Sequence, residues 1–290
     1  MPVNGKTRLC GLIGHPVEHT MSPVLQNYLA ERTGHNLIYV PFHVQEGDLE
    51  DAVRGAHALN AIGLNVTVPY KTEVCSLLEE IDPLAERIGA VNTLVRTERG
   101  FKGYNTDMPG LYRALLYDGV RIEGEHVMVL GAGGVARAVC LLLQQKGAAD
   151  LVLLNRSTDK AQKIAEEVNR IAGREFAKVL PLDGYRELPE DARYLCIQAT
   201  SVGMHPNTQE AVIEDPQFYR HLSAAYDLIF NPLETRFMQL AAAQGIPAFN
   251  GYRMLLFQGV IAFELWTGCR IPDDLAQETY EQMLLAMRGE

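Results

Sequence analysis

Apolar positions along the chain alternate between two spacings, and the changes of spacing mark out its elements. LCGLIG (9–14) has the short continuous run of a buried strand and gives way to the turn-rich HPVEHTMSP. Near Ser22 the spacing turns helical: Pro23 suits a first helical position, and Val24, Leu25, Tyr28 and Leu29 form a stripe that stops at Gly34. LIYVPFHV (37–44) predicts a strand, DLEDAVRGAHAL (48–59) a helix, and AIGLNVTVP (61–69) a third strand. In that strand Val66 and Val68 share the core side, with Asn65 and Thr67 opposite. Pro69 removes a backbone donor and ends the ladder. KTEVCSLLEEI (71–81) predicts a further helix, and AVNTLVRTERGFKGYNTD (90–107) a hairpin turning at Glu98-Arg99-Gly100. This alternation favours an α/β layer architecture.

The character changes after LYRALLYDGV, which predicts a helix. HVMVL (126–130) is a fully apolar strand that runs into GAGGVA (131–136), followed by AVCLLLQQKG as helix and DLVLL (150–154) as strand. Strand, glycine turn, helix and strand within about 30 residues is the size of a dinucleotide-binding βαβ unit. DKAQKIAEEVNRIAG predicts an amphipathic helix, and LCIQAT and AAYDLIF predict later parallel strands. GIPAFNGYRMLLFQGVIAFELWTG carries a short strand and a long apolar helix. Neither an internal repeat nor a low-complexity linker interrupts the pattern.

Composition narrows the classes. A chain of 290 residues, 47% hydrophobic and 21% charged, has the make-up of an ordinary globular protein with room for two cored domains. A formal net charge of −10 argues against a general nucleic-acid or anionic-membrane binder. No apolar run approaches the roughly 20 residues needed to span a bilayer. The N-terminus lacks a signal-peptide pattern. Cys10, Cys75, Cys140, Cys196 and Cys269 include no C-x-x-C, which predicts reduced, buried thiols in a cytoplasmic protein.

Gly131-x-Gly133-x-x-Ala136 is the strongest local chemical signal. Its first glycine permits the tight turn, its second lets backbone approach a pyrophosphate, and its small third position lets helix and strand pack closely. At the end of the next strand, where NAD-binding units place a carboxylate for the ribose, the chain has Asn155, followed by Arg156, Ser157 and Lys160. Arg156 and Lys160 suit a 2′-phosphate, so NADP is favoured, with NAD as the alternative if Asp159 turns toward the ribose.

In the first third, Lys71 beyond the proline stop and Asp107 in GYNTD are candidates for proton transfer, since a lysine beside a carboxylate is an acid–base pair. Taken singly, each is the residue type of an ordinary surface charge. Thr20 and Ser22 offer two hydroxyls, although serine before proline at a helix start is equally a good N-cap. Asn92 and Gln258 lie inside apolar runs, so each amide ties up backbone or faces a polar ligand. The eight histidines show no metal-ligand spacing, and His15 and His19 stay unassigned.

GLIGHPVEHTMSP, NVTVPYK, GAVNTL, GYNTD, GAGGVARA, NRS, QATSVGM and NGYRMLLFQGVIAFELWTG occur in the order found in shikimate dehydrogenases, a family that includes quinate/shikimate dehydrogenases, and from residue 9 to about 268 the chain resembles that family. The resemblance implies two α/β domains with a cleft between them. Residues 1–107 plus 251–290 would bind substrate, and residues 108–250 would form a Rossmann-type NADP domain. It implies that Lys71 and Asp107 are the catalytic pair, that Thr20 and Ser22 bind the substrate carboxylate, and that Thr67, Asn92 and Gln258 make the other substrate contacts. Gly131, Ala132, Gly133, Gly134 and Val135, the 155–160 turn, Thr200, Leu228 and Gly251 fall on its cofactor positions. The implied reaction is reversible, NADP-dependent interconversion of 3-dehydroshikimate and shikimate, and a homodimer is the softer expectation.

Two departures bear on the choice between shikimate and quinate. Thr20 replaces a more usual serine and narrows the carboxylate end. Phe230 replaces a usual tyrosine and removes one polar contact. A non-catalytic ligand sensor on the same scaffold would have no need of the lysine–aspartate pair, and this chain keeps both residues.

Overall fold

The computed structural model describes residues 3–288. The chain forms two compact units, one from residues 1–111 with 256–290 and the other from 112–255. Both divisions fall inside a helix.

The first unit opens with β1 (Arg8–Gly14), α1 (Ser22–Arg32), β2 (Leu37–His43), α2 (Leu49–Ala58) and β3 (Gly63–Val66). It continues through β4 (Glu80–Ile81), α3 (Pro83–Ile88), β5 (Thr93–Arg96), β6 (Phe101–Tyr104) and the start of α4 (Asp107–Tyr117). Its sheet has the order β2-β1-β3-β5-β6-β4. β1 pairs in parallel with β2 and β3, while β5 runs antiparallel to β3 and to β6. The expected hairpin is β5–β6, with Thr93 opposite Tyr104 and Arg96 opposite Phe101. Ile13, Leu64, Val66, Tyr70 and Leu94 lie in one buried cluster, and full burial of such side chains contributes roughly 1.5–3 kcal/mol each.

Two expectations fail in this unit. Residues 71–81 are not one helix: a 3₁₀ turn covers Glu73–Leu77, and Glu80–Ile81 pair with Lys102–Gly103. Glu79 N–H donates to Phe101 O and Asp82 N–H to Gly103 O. The open edge of β6 captures the segment, a tertiary gain that outweighs a local helical preference. Val68 does not anchor its strand, being 61% exposed where Val66 is 2% exposed. Ladder pairing ends at Val66, and Tyr70 N–H closes back on Thr67 O at 3.0 Å, so the two-residue alternation stops before Val68.

The second unit carries β7 (His126–Leu130), α5 (Gly134–Gln145), β8 (Asp150–Leu154), α6 (Thr158–Ala172), β9 (Ala177–Leu180) and β10 (Tyr194–Gln198). It then adds α7 (Pro216–Tyr219), β11 (Leu222–Asp227), α8 (Arg236–Ala243), β12 (Ala248–Phe249) and the start of α9 (Tyr252–Thr267). The sheet is parallel throughout, ordered β12-β11-β10-β7-β8-β9, so the strand order reverses between β7 and β10. β7, β8 and β10 are buried on both faces almost end to end, which explains their unbroken apolar runs. From Leu256 α9 belongs to the first unit, and α10 (Asp273–Arg288) closes the chain.

No helix among the described residues is long and apolar enough to cross a membrane. All five cysteines are free; Cys10, Cys140 and Cys196 are buried, whereas Cys75 and Cys269 are partly exposed.

Candidate active site

Lys71 is placed by its neighbours. Tyr70 is buried and its phenol donates to Val44 O at 2.9 Å, while Val91 N–H donates to Lys71 O at 2.8 Å, so the backbone on both sides of the amine is fixed. Asp107 opens α4, where Asn105 Oδ1 accepts from the N–H groups of Asp107 and Met108 and so caps the helix. These two local structures bring Lys71 Nζ to 2.7 Å from Asp107 Oδ2. The side chains keep 33% and 21% of their surface, so the pair is partly desolvated yet open to a ligand.

Asn92 holds the other carboxylate oxygen. Its Nδ2 donates to Asp107 Oδ1 at 2.9 Å and to Thr106 Oγ1 at 3.0 Å, and its Oδ1 accepts from Thr106 N–H at 2.8 Å. Asn92 thus bonds backbone at Thr106 and orients Asp107.

The hydroxyl pair lies at the start of α1. Met21 occupies the N-cap position and Ser22 is already helical, which corrects the reading of Ser22 as an N-cap. Thr20 Oγ1 accepts from Ser22 N–H at 3.2 Å. Thr67 follows β3 and packs on Gly14, where an added Cβ would collide with Thr67 Cγ2. Gln258 sits on α9 where that helix crosses α4 at Gly110; a Cβ there would lie 2.6 Å from Gln258 N. Nearby, His15 Nδ1 and His43 Nε2 share a hydrogen bond of 2.5 Å.

In the second unit Gly131 ends β7 with φ +114°, and a Cβ there would lie 2.8 Å from Thr200 Cγ2. Glycine is required on both counts. Gly133 stands at the N-cap of α5, with nothing within 4 Å of an added Cβ at Gly133 or Gly134, and no acidic residue occupies the first turn. Ala132 is half-buried, Val135 is 50% exposed and Ala136 is fully buried. That leaves an open cradle of backbone at a helix N-terminus, the arrangement that receives a pyrophosphate.

Asn155 Nδ2 donates to Ser157 O at 2.8 Å and shapes the turn after β8. Arg156, Ser157, Asp159 and Lys160 are exposed there, and neither Arg156 nor Lys160 has an ion-pair partner among the described residues. Asp159 lies in the first turn of α6, where a carboxylate complements the helix dipole. The donor set thus fits a dinucleotide with an added phosphate.

Thr200, Leu228 and Gly251 are knitted together by residues that the sequence pattern did not single out. Gln198 Oε1 accepts from Thr200 N–H at 2.5 Å, and Gln198 O accepts from Leu228 N–H at 3.0 Å. Asp227 Oδ2 accepts from Thr235 Oγ1 at 2.6 Å, and its Oδ1 accepts from Ile229 N–H at 2.9 Å. Burial pushes the Asp227 carboxyl up to about 6, against the pull of those two donors. Gly251 N–H donates to Ile229 O at 2.9 Å, and a Cβ on Gly251 would collide with Leu228 O. Phe230 is 38% exposed, its ring 6.4 Å from that of Tyr252. A usable signal was present: Gln198, Asp227 and Asn65 are polar residues inside apolar strands, the pattern that drew attention to Asn92 and Gln258.

Fold and site together define a two-unit α/β oxidoreductase, with a Rossmann-type dinucleotide unit and a second unit carrying a lysine–carboxylate pair. Three family models match in order: "Shikimate dehydrogenase substrate binding domain" over residues 12–94, "Shikimate / quinate 5-dehydrogenase" over 116–201, and "Shikimate 5'-dehydrogenase C-terminal domain" over 251–279. Shikimate dehydrogenase (NADP(+)) of Moorella thermoacetica is 40% identical over 288 residues, covering 99% of this chain and 97% of the relative. The enzyme of the same name from Methanopyrus kandleri is 44% identical over 282 residues, covering 95% and 96%. A crystal structure of shikimate 5-dehydrogenase from Thermus thermophilus with NADP(H) and shikimate has a TM-score of 0.83 at 32% identity, covering 95% of this chain and 99% of that one. The chain belongs to the shikimate dehydrogenase family.

Proposed function

We propose that the protein interconverts 3-dehydroshikimate and shikimate with NADP(H), and that Lys71 and Asp107 manage the proton. The observation that carries this is the 2.7 Å contact between Lys71 Nζ and Asp107 Oδ2, with Asn92 on the other oxygen. When bound, the cofactor supplies hydride exchange between nicotinamide C4 and the substrate C3. Lys71 gives its proton to the oxygen that becomes the hydroxyl and recovers it in the reverse direction. Asp107 accepts a hydrogen bond from that hydroxyl and keeps the amine aimed at it. Thr20 and Ser22 hold the substrate carboxylate, and Thr67, Asn92 and Gln258 orient the ring, which lowers the entropic part of the barrier.

For the cofactor, the open cradle from Gly131 to Val135 takes the pyrophosphate, and Asn155, Arg156, Ser157 and Lys160 take the adenosine ribose and its phosphate. Thr200, Leu228 and Gly251 line the nicotinamide end. The substrate-binding catalytic domain is residues 1–107 plus 251–290, with 108–250 as the NADP domain. The acidic net charge of −10 supports a small-molecule partner over nucleic acid or an anionic membrane, and a cytoplasmic homodimer is the form that goes with this reading.

The test is a two-by-two assay of shikimate and quinate against NADP and NAD. The highest kcat/KM is expected for shikimate with NADP. The second reading, a quinate/shikimate dehydrogenase using NAD or both cofactors, draws on Phe230 in place of tyrosine and on Asp159 beside the ribose site. It wins if quinate with NAD matches or exceeds shikimate with NADP. No turnover in any combination defeats both.

A further inference from the structure

Leading to the lysine–carboxylate pair runs a buried line of polar side chains to which no role has been given. Tyr39 on β2, Asn65 on β3 and Thr93 on β5 are 2%, 5% and 0% exposed. The Tyr39 phenol donates to Asn65 Oδ1 at 2.8 Å, Asn65 Nδ2 donates to Thr93 Oγ1 at 3.0 Å, and Thr93 Oγ1 donates to Asn92 Oδ1 at 3.1 Å. Asn92 then donates to Asp107, and Asp107 meets Lys71.

Two backbone groups fix which way the two amides in this line face. Thr106 N–H can only donate and faces Asn92 Oδ1, so the atom of Asn92 facing Asp107 is the amide nitrogen. Asn92 C=O can only accept and faces Asn65 Nδ2 at 3.2 Å, so Asn65 turns its oxygen to the Tyr39 phenol. The second hydrogen of Asn65 Nδ2 goes to Thr93, whose own hydroxyl has Asn92 Oδ1 at 3.1 Å as its nearer acceptor and Thr106 Oγ1 at 3.2 Å beside it. Asn92 Oδ1 faces Thr106 N–H at 2.8 Å, Thr93 Oγ1 at 3.1 Å and Thr106 Oγ1 at 3.2 Å.

We propose that Thr93 is a positioning residue of the reaction: backed by Asn65 and Tyr39, its hydroxyl locks the Asn92 amide in the orientation that donates to Asp107 and leaves Asp107 Oδ2 for Lys71. This rests on the assignment of Lys71 and Asp107 as the proton-handling pair. Without the hydroxyl, Asn65 Nδ2 loses an acceptor and Asn92 Oδ1 a donor inside the core, where an unmade hydrogen bond is not replaced by water. The Asn92 amide then keeps only Thr106 on its oxygen and is aimed less firmly at Asp107.

Thr93→Val keeps the shape and removes the hydroxyl. With shikimate and NADP, kcat is expected to fall roughly 10- to 100-fold, the scale of a small misplacement of reacting groups. KM for shikimate stays within about threefold, the pH midpoint of kcat moves, and Thr93→Ser restores wild-type behaviour to within about twofold. A Val variant with wild-type kcat and pH profile overturns the role, and so does a loss that Thr93→Ser fails to rescue. If Thr93→Val does not fold, Tyr39→Phe decides: a lowered kcat with a displaced pH midpoint supports the line, and an unchanged profile overturns it. A wild-type protein inactive on both shikimate and quinate overturns the proposed function, and this role with it; an active wild type with an indifferent Val variant overturns this role alone.

Discussion

Lys71 illustrates how little of a residue's role its own identity carries. A lysine after a strand-ending proline is chemically an ordinary surface charge, and the amine becomes an acid–base candidate only where Asp107 meets it at 2.7 Å. Lys71→Ala is expected to lower kcat by orders of magnitude with a much smaller change in KM; a near-normal turnover number would remove Lys71 from the proton path. Phe230 gives a second expectation at this scale. Its ring is 38% exposed, so Phe230→Tyr adds a hydroxyl without a burial cost. If the position faces substrate, KM for shikimate falls by roughly 2- to 10-fold, the worth of one hydrogen bond. An unchanged KM for both shikimate and quinate would show that the position does not touch the ring.

At the scale of elements, sequence periodicity located β1, α1, β2, α2, β5–β6 and the β7-α5-β8 unit, because each buries a face with its own regular spacing. It failed at 71–81, where the partner is the edge of β6, a strand some twenty residues further along the chain. α3, six residues long, is too short to display a period. The end of β11 carries a test of a buried charge. Asp227 is 0% exposed, and burial raises its carboxyl from 3.8 to about 6. Between those values the folded state holds the proton that the unfolded chain releases, so this group's contribution to stability falls as pH rises through the window and stays low above it. Asp227→Asn removes the titration. The stability of the variant relative to the native chain should therefore increase between pH 3.5 and 7.5, by on the order of 3 kcal/mol. Denaturant midpoints at the two pH values measure it, and a difference independent of pH would show that Asp227 does not titrate in this range.

Taken as a whole molecule, the chain builds its first unit from both ends: residues 256–290 return to complete what residues 1–111 begin. The return is sealed where Trp266 Nε1 donates to Leu94 O at 2.9 Å over Gly63. A Cβ at position 63 would fall on the indole nitrogen and 2.5 Å from Leu94 O. Gly63→Ala is therefore expected to cost about 3 kcal/mol or more, since neither a backbone carbonyl nor a buried indole gives way cheaply. Trp266 is the chain's one tryptophan and is 7% exposed, so its emission reports on that contact directly. An unshifted denaturant midpoint for its emission would show that α9 yields there without cost.

The sequence by itself determined what local physics can determine. Spacing of apolar residues gave the alternating elements, Gly131-x-Gly133 gave the turn that only glycine permits, and Asn155-Arg156 in place of a carboxylate pointed to NADP. Eight motifs in order pointed to the family. Only the tertiary structure decided which polar residues meet. Asn92, Asp107 and Lys71 lie up to 36 residues apart along the chain yet share one hydrogen-bonded group. Tyr39, Asn65 and Thr93 come from three strands of one sheet. Spacing along one segment carries the periodicity of that segment and nothing about the strand that will lie beside it. Hydrogen-bond partners across a sheet are fixed by register, and register is set by burial of the whole sheet.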